Sequence, residues 1–220
     1  MSFDGLAPHY RWMELVLAGN KLQRCRMAFL DKAASPEHVL ILGEGNGRFL
    51  LECRRHLDRA RITCVDSSRR MLALAHERLK RHHVPSTGID FIHADALDWQ
   101  PPANAFDVIV THFFLDCFRP DQLRGLVANL AQAARPKAQW LLADFWVPAS
   151  GLPRARARAI HRIMYIFFRL ACHLPARKLS PPDTMLEAHG FRLQDRRLSE
   201  WGLLHSDWWR REPGVDPVEG

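Results

Sequence analysis

The sequence predicts a doubly wound α/β fold on a parallel sheet, and three observations carry that prediction. Short apolar runs alternate five times with stretches of helical periodicity. The first run, Val39-Leu40-Ile41-Leu42, passes directly into Gly43-Glu44-Gly45-Asn46-Gly47, whose alternate glycines let backbone turn tightly and approach a ligand. Polar residues stand just past every run: Glu44, Asp66, Asp95, His112 with Asp116, and Asp144. In such a sheet the carboxyl ends of the strands are where ligands bind.

The composition sets the frame for these elements. A chain of 220 residues is long enough for one domain with a full core. The 47% apolar and 25% charged contents are those of a soluble globular protein. No uncharged apolar run is long enough to span a membrane. Asp4, Arg11 and Glu14 fall where an export signal would need an apolar centre, so a cytoplasmic setting is expected. Five widely spaced cysteines without a Cys-x-x-Cys pair argue for reduced thiols rather than disulfides or zinc. None of the twelve histidines forms His-Glu-x-x-His, and no metal is expected. The formal charge of +7 is concentrated at Arg154, Arg156, Arg158, Arg162, Arg169, Arg177 and Lys178, and again near the C-terminus. That excess admits nucleic acid, anionic lipid or an acidic substrate as partner, or simply a solvated face.

The elements follow in order. Residues 1–35 read as a helical cap broken at Gly19-Asn20, with Ser35-Pro36 ending it. The apolar run 39–42 suits a strand buried on both faces. Phe49, Leu50, Cys53 and Leu57 then recur at helical spacing. A second strand, 62–65, ends at Asp66, roughly 20 residues past the last glycine, where a ribose-binding acid belongs. Ser67 or Ser68 caps a helix whose inward face is Leu72, Ala75 and Leu79. The third strand, 89–94, ends at Asp95, and the fourth, 106–110, runs on into Thr111-His112-Phe113-Phe114. Pro120 opens a helix with the stripe Leu123, Leu126, Val127 and Leu130. A fifth strand, 140–143, ends at Asp144. A long basic helix over about 154–174 and a short one between Pro182 and Gly190 follow, then strand-like runs 191–198 and 201–209 that can pair antiparallel.

The order Gly43-Glu44-Gly45-Asn46-Gly47, Asp66, Asp95-Ala96 and Phe106-Asp107-Val108-Ile109-Val110 resembles the class I S-adenosylmethionine-dependent methyltransferases. Met185-Leu186-Glu187-Ala188-His189-Gly190-Phe191 and the closing hairpin are similar to that family too. The resemblance covers about residues 37–145 well and 181–209 loosely. It implies a seven-stranded sheet of order 3-2-1-4-5-7-6 with strand seven antiparallel, and S-adenosyl-L-methionine as cofactor. One domain over 1–212 would comprise a cap or lid (1–35), a cofactor core (37–145), a substrate-side helix (150–180) and a closing helix and hairpin (181–210), before a loose tail.

Carried over by position, the resemblance implies that Gly43, Gly45 and Gly47 pass under the methionine part of the cofactor. Asp66, with Ser67 beside it, would accept hydrogen bonds from the ribose hydroxyls. Asp95 and Ala96 would meet the adenine, and His112 and Phe113 would flank the sulfonium. The family usually carries an acid two residues before the first glycine, where Ile41 stands here. Glu44 is the candidate to replace its charge opposite the cofactor's ammonium group. Phe3-Asp4-Gly5-Leu6-Ala7-Pro8-His9-Tyr10 resembles the opening of the ubiquinone/menaquinone C-methyltransferase branch, which makes Tyr10 the lid residue. That branch has an Arg-Asn pair where this chain has Asp116-Cys117, a departure that bears on a quinone precursor as substrate.

Methyl transfer from a sulfonium needs distance, angle and exclusion of water, and a base only where the acceptor holds a proton. His112 and Asp116 are the residues placed to act as that base. Ile163-Met164-Tyr165-Ile166-Phe167-Phe168, bracketed by Arg162 and Arg169, points to a hydrophobic or lipid-like small-molecule acceptor and to peripheral membrane contact through 154–174. A nicotinamide oxidoreductase is disfavoured because the third glycine comes one position early and no Tyr-x-x-x-Lys occurs. A nucleic-acid methyltransferase accords with the charge, yet no Asn/Asp-Pro-Pro-Tyr/Phe follows the fourth strand. A non-catalytic cofactor-binding regulator is compatible with the same residues.

Overall fold

The computed structural model describes residues 20–33, 35–172 and 181–212, with backbone only for 163–172. The chain runs through Asn20–Met27 (α1), His38–Leu42 (β1), Arg48–His56 (α2), Arg61–Asp66 (β2), Arg69–Arg81 (α3), Ile89–His93 (β3) and Phe106–His112 (β4). It continues through Pro120–Ala133 (α4), Ala134–Phe145 (β5), Gly151–Cys172 (α5), Asp183–Ala188 (α6), Phe191–Ser199 (β6) and Leu204–Arg211 (β7). The strands form one sheet of order β3-β2-β1-β4-β5-β7-β6. Strands β1 to β5 pair in parallel, whereas β7 is antiparallel to both β5 and β6. The expected fold and strand order are therefore found.

Alternation along β1 explains its unbroken apolar run. Leu40 and Leu42 enter a layer with Ile109, Trp140, Leu142, Trp209 and the α4 stripe. Val39 and Ile41 enter the opposite layer with Ile62, Cys64, Val108, Val110 and residues of α2 and α3. Both faces are covered, as a parallel sheet requires. Leu123, Leu126, Val127 and Leu130 are all buried, each contributing roughly 1.5–3 kcal/mol by leaving water. Pro120 stands at the first position of α4, where its missing N–H costs nothing. Trp140 is fully buried, and its indole N–H donates to Thr111 Oγ1 at 2.8 Å.

Register then assembles one polar edge. Leu42 lies opposite Val65 and Thr111, so Gly43, Asp66 and His112 emerge together at the carboxyl ends. His112 lies opposite Ala143, which sets Asp144 one residue further on.

Several boundaries differ from the sequence expectation. Strand β5 begins at Ala134 rather than at 140, because Phe106 pairs with Ala134 before the register shifts to Val108 with Gln139. Helix α5 starts at Gly151. Trp201 is not in a strand: it belongs to a 3-10 turn over Glu200–Gly202, where Glu200, Trp201 and Gly202 all have positive φ. The predicted lid residue Tyr10 lies outside the described residues.

Candidate active site

The glycine turn is built by sterics and closed by a carboxylate. Gly43 has φ +63°, and a Cβ there would stand 2.3 Å from the Phe114 ring. Gly47 has φ +80°, and a Cβ would stand 2.6 Å from Ala75 Cα, so α3 packs directly on the turn. Asp66 Oδ2 accepts from Gly45 N at 3.2 Å, and Oδ1 accepts from Ser68 N at 2.9 Å. A carboxylate oxygen has two lone pairs, so it can accept from a hydroxyl beside a backbone N–H. Ser68, rather than Ser67, caps α3 by accepting from Met71 N at 3.2 Å. Asp95 starts a turn two residues past β3, with Oδ1 accepting from Leu97 N at 3.1 Å, and Ala96 is buried behind it.

Glu44 has a task that its sequence position did not reveal. The N-cap of α2 is Gly47, which offers no side-chain acceptor. Glu44 Oε1 supplies one, accepting from Phe49 N and Leu50 N at 2.9 Å each. Burial pushes this carboxyl up to about 7, against the Leu50 and Phe49 N–H groups and the positive charge of Arg26. Ile41, the position where an acid was expected, is 1% exposed and packed in the core.

Arg26 escaped the sequence reading. At the end of α1 it is 5% exposed, and its guanidinium stands 5.3 Å from the Phe113 ring centroid. The available signal was an arginine set between Cys25 and Met27. Its charge reaches His112 as well as Glu44. His112 ends β4, buried and edge-on to Phe49 at 4.5 Å. Burial and then the Arg26 charge hold its imidazole well below the usual range, so it is neutral. Among the described residues its Nδ1 is buried without a hydrogen-bond partner. Phe113 follows with φ +52°, its ring 5.4 Å from that of Phe145.

Past β4 the chain makes a short turn over Leu115–Cys117, where Asp116 N donates to Asp144 Oδ2 at 3.2 Å. Burial raises Asp116 to about 6, although the Cys117 thiol lies against it. Asp144 is raised well above the carboxylate range, first by burial and then by the charge of Asp116. Two carboxyls so placed titrate as a pair, one holding a proton.

A further buried network stands beside them on β7. Asp207 Oδ1 lies 3.0 Å from His205 Nδ1, and both Asp207 oxygens accept from Arg196, at 2.8 and 2.6 Å. Arg196 also donates to Asp183 at 2.6 Å. Arg196 meets Asp207 through hairpin register and Asp183 from the start of α6, contacts that sequence spacing does not display. Among the described residues no group of three His, Cys, Asp or Glu side chains could hold a metal ion.

Comparison with known proteins accords with this layout. The methyltransferase domain family matches residues 39–137. The chain is similar to the ubiquinone/menaquinone biosynthesis C-methyltransferase UbiE of Desulfotalea psychrophila, 26% identical over 183 residues, covering 82% of this chain and 69% of the relative. In structure it resembles the 1,6-didemethyltoxoflavin-N1-methyltransferase of Burkholderia thailandensis, which holds S-adenosylhomocysteine, with TM-score 0.65, 16% identity and coverage of 94% and 88%. It also resembles the N-methyltransferase NodS of Bradyrhizobium japonicum, with TM-score 0.59, 17% identity and coverage of 86% and 83%. At these identities the structural likenesses establish the fold.

Proposed function

Because the chain is a class I S-adenosylmethionine-dependent methyltransferase, we propose that it methylates a small, apolar, lipid-like acceptor at the carboxyl ends of β4 and β5. The observation that carries the acceptor side is the group of half-buried Phe113 and Phe145 with buried His112 and the buried Asp116–Asp144 pair, aromatic on one hand and proton-accepting on the other.

The residues present fit the cofactor. Asp66 retains acceptor capacity for a ribose diol, and the glycine turn presents backbone without side chains. S-adenosylmethionine, when bound, supplies an electrophilic methyl group on a sulfonium. The chain supplies position and a dry surface. Arg26 holds a carboxylate end, and Asp95 receives an amino donor. Glu44 presents negative charge to an ammonium group while its Oε1 holds the start of α2. The neutral imidazole of His112 offers Nδ1 to the acceptor. Asp116 takes a proton from an acidic O–H, N–H or C–H of the acceptor, and Asp144 retains its own proton. The name of the Desulfotalea relative supports an aromatic, quinol-like molecule within this class. We extend the reading to a cytoplasmic enzyme with peripheral membrane contact through 154–174, supported by the arginines there.

The test is transfer of a labelled methyl group from S-adenosylmethionine to a panel of amphipathic phenols and quinols, polar amines and RNA. Transfer confined to the first group is the expected result. Transfer to polar amines or RNA alone would replace the reading.

A further inference from the structure

The β6–β7 turn carries a feature that packing does not explain. Trp201 is 80% exposed, with φ 62° and ψ 32°. Glu200 before it and Gly202 after it also have positive φ, so three successive residues fix the indole outward in a conformation side chains rarely adopt. The tip is anchored. A Cβ on Gly202 would stand 2.9 Å from Pro148 Cγ, and Arg156 donates to Glu200 O at 3.1 Å. Lys21 pairs with the Glu200 carboxylate, offsetting the negative charge of the turn.

The first twelve residues of α5 lie against this tip. They carry Arg154, Arg156, Arg158 and Arg162 and no acid. Leu152 is 87% exposed and shares a helix face with Arg156 and Ala159, flanked by Arg158 and Arg162. The opposite side of the helix buries Ala157 and His161, the latter 5.6 Å from the Phe145 ring. One helix therefore links the acceptor side of the site to an exposed, cationic, apolar-tipped face.

We propose that Trp201 and Leu152 enter the interface of an anionic lipid membrane while Arg156, Arg158 and Arg162 meet its headgroups. An indole and a leucine rimmed by arginines match the boundary between acyl chains and anionic headgroups. Nucleic acid would use the charge and the indole, but Leu152 would gain nothing from it. A second copy of the chain would set one arginine face against another. The surface lies apart from the methyl-transfer residues, and rests on the lipid-like acceptor only for its purpose, which is delivering that acceptor from the membrane to the site.

The experiment is flotation of the full chain with phosphatidylcholine vesicles, with or without phosphatidylglycerol. Binding is expected only with phosphatidylglycerol, falling as salt rises. Trp201→Ser together with Leu152→Ser should lower partitioning on the order of tenfold at unchanged charge. Arg156→Ala with Arg158→Ala should lower it by a similar factor. S-adenosylhomocysteine affinity, measured by calorimetry, should stay constant in both variants, reporting an intact fold. No vesicle binding, or binding indifferent to Trp201 and Leu152, overturns the proposal. So does tighter Trp201-dependent binding to RNA, or a Trp201-dependent dimer in sedimentation. Vesicle binding is read without any acceptor, so it can fail while transfer to quinols stands, or succeed while that transfer fails.

Discussion

The backbone N–H of Asp116 donates to the side chain of Asp144 at 3.2 Å, which ties the turn after β4 to the end of β5. The bond also brings two carboxyl groups into one buried place, each less than a tenth exposed. Only one of them can ionise cheaply there, so the two titrate as a unit.

Asp116→Asn should lower kcat by about 10²- to 10⁴-fold, the range for removing a general base. S-adenosylhomocysteine affinity should change less than about twofold by calorimetry, since the contacts of Asp66 with Gly45 N and Ser68 N are untouched. In the wild type, kcat should fall with acid through an apparent value near the raised Asp116 carboxyl at about 6. Asp116→Asn should lose that limb. A variant retaining both rate and limb would remove Asp116 from the reaction.

Glu44→Gln keeps an oxygen for Phe49 N and Leu50 N but cannot ionise. The folded carboxyl titrates near 7 against an ordinary 4.5, so the folded state binds the proton more tightly. Stability associated with that proton is complete below about 4.5 and lost as pH rises through 7, a difference of about 3 kcal/mol. Thermal unfolding should show the variant matching wild type near pH 5 and exceeding it at pH 8. Titration with S-adenosylhomocysteine should show weaker binding by the variant. Unchanged affinity would leave Glu44 as a helix cap alone.

Asp66→Ala removes the proposed ribose acceptor together with the carboxylate that accepts from Gly45 N and Ser68 N. Affinity for S-adenosylhomocysteine should fall by roughly 10- to 100-fold, and stability by about 1–3 kcal/mol. Calorimetry and denaturant unfolding separate the two losses. Full affinity in a destabilised variant would reduce Asp66 to a loop brace.

Asp207→Asn leaves Arg196 and His205 without their shared anion in a site where the Asp207 side chain is wholly buried. The loss should be about 3–5 kcal/mol in urea unfolding at neutral pH. Burial alone would raise Asp207, but Arg196 and His205 outweigh it and hold the carboxyl below its ordinary 3.8. Its contribution is therefore present above that value and disappears as pH falls below it. Wild-type stability should drop in acid with a slope that Asp207→Asn lacks.

What could be read from sequence was whatever local chemistry announces. The apolar run before Gly43, the stripe of α4 and the acids closing β2 and β3 each follow from periodicity or turn chemistry, and each lies where it was expected. The order of strands came through family resemblance, since pairing partners distant in the chain leave no local mark. Arg26, the contact between Asp116 and Asp144 and the pairing of Arg196 with Asp207 were hidden for the same reason: the partners arrive by register across the sheet or from another element. Glu44 reads as a ligand residue until the turn is seen to aim it at the start of α2. Trp201 looked like strand because indoles favour strands, and three positive φ values put it in a turn instead.

Strand β7 is the last among the described residues, yet it sits between β5 and β6 rather than at the rim. During synthesis, β1 to β5 leave the ribosome first, and the outer edge of β5 waits with Leu141, Leu142 and Ala143 unpaired. The fully buried Trp209 reaches its place in the layer of Trp140 only when the final hairpin threads home. A nascent chain stopped before Leu204 would therefore carry an apolar strand edge open to neighbours, which is a template for aggregation. The hairpin that finishes the sheet is thus also its guard.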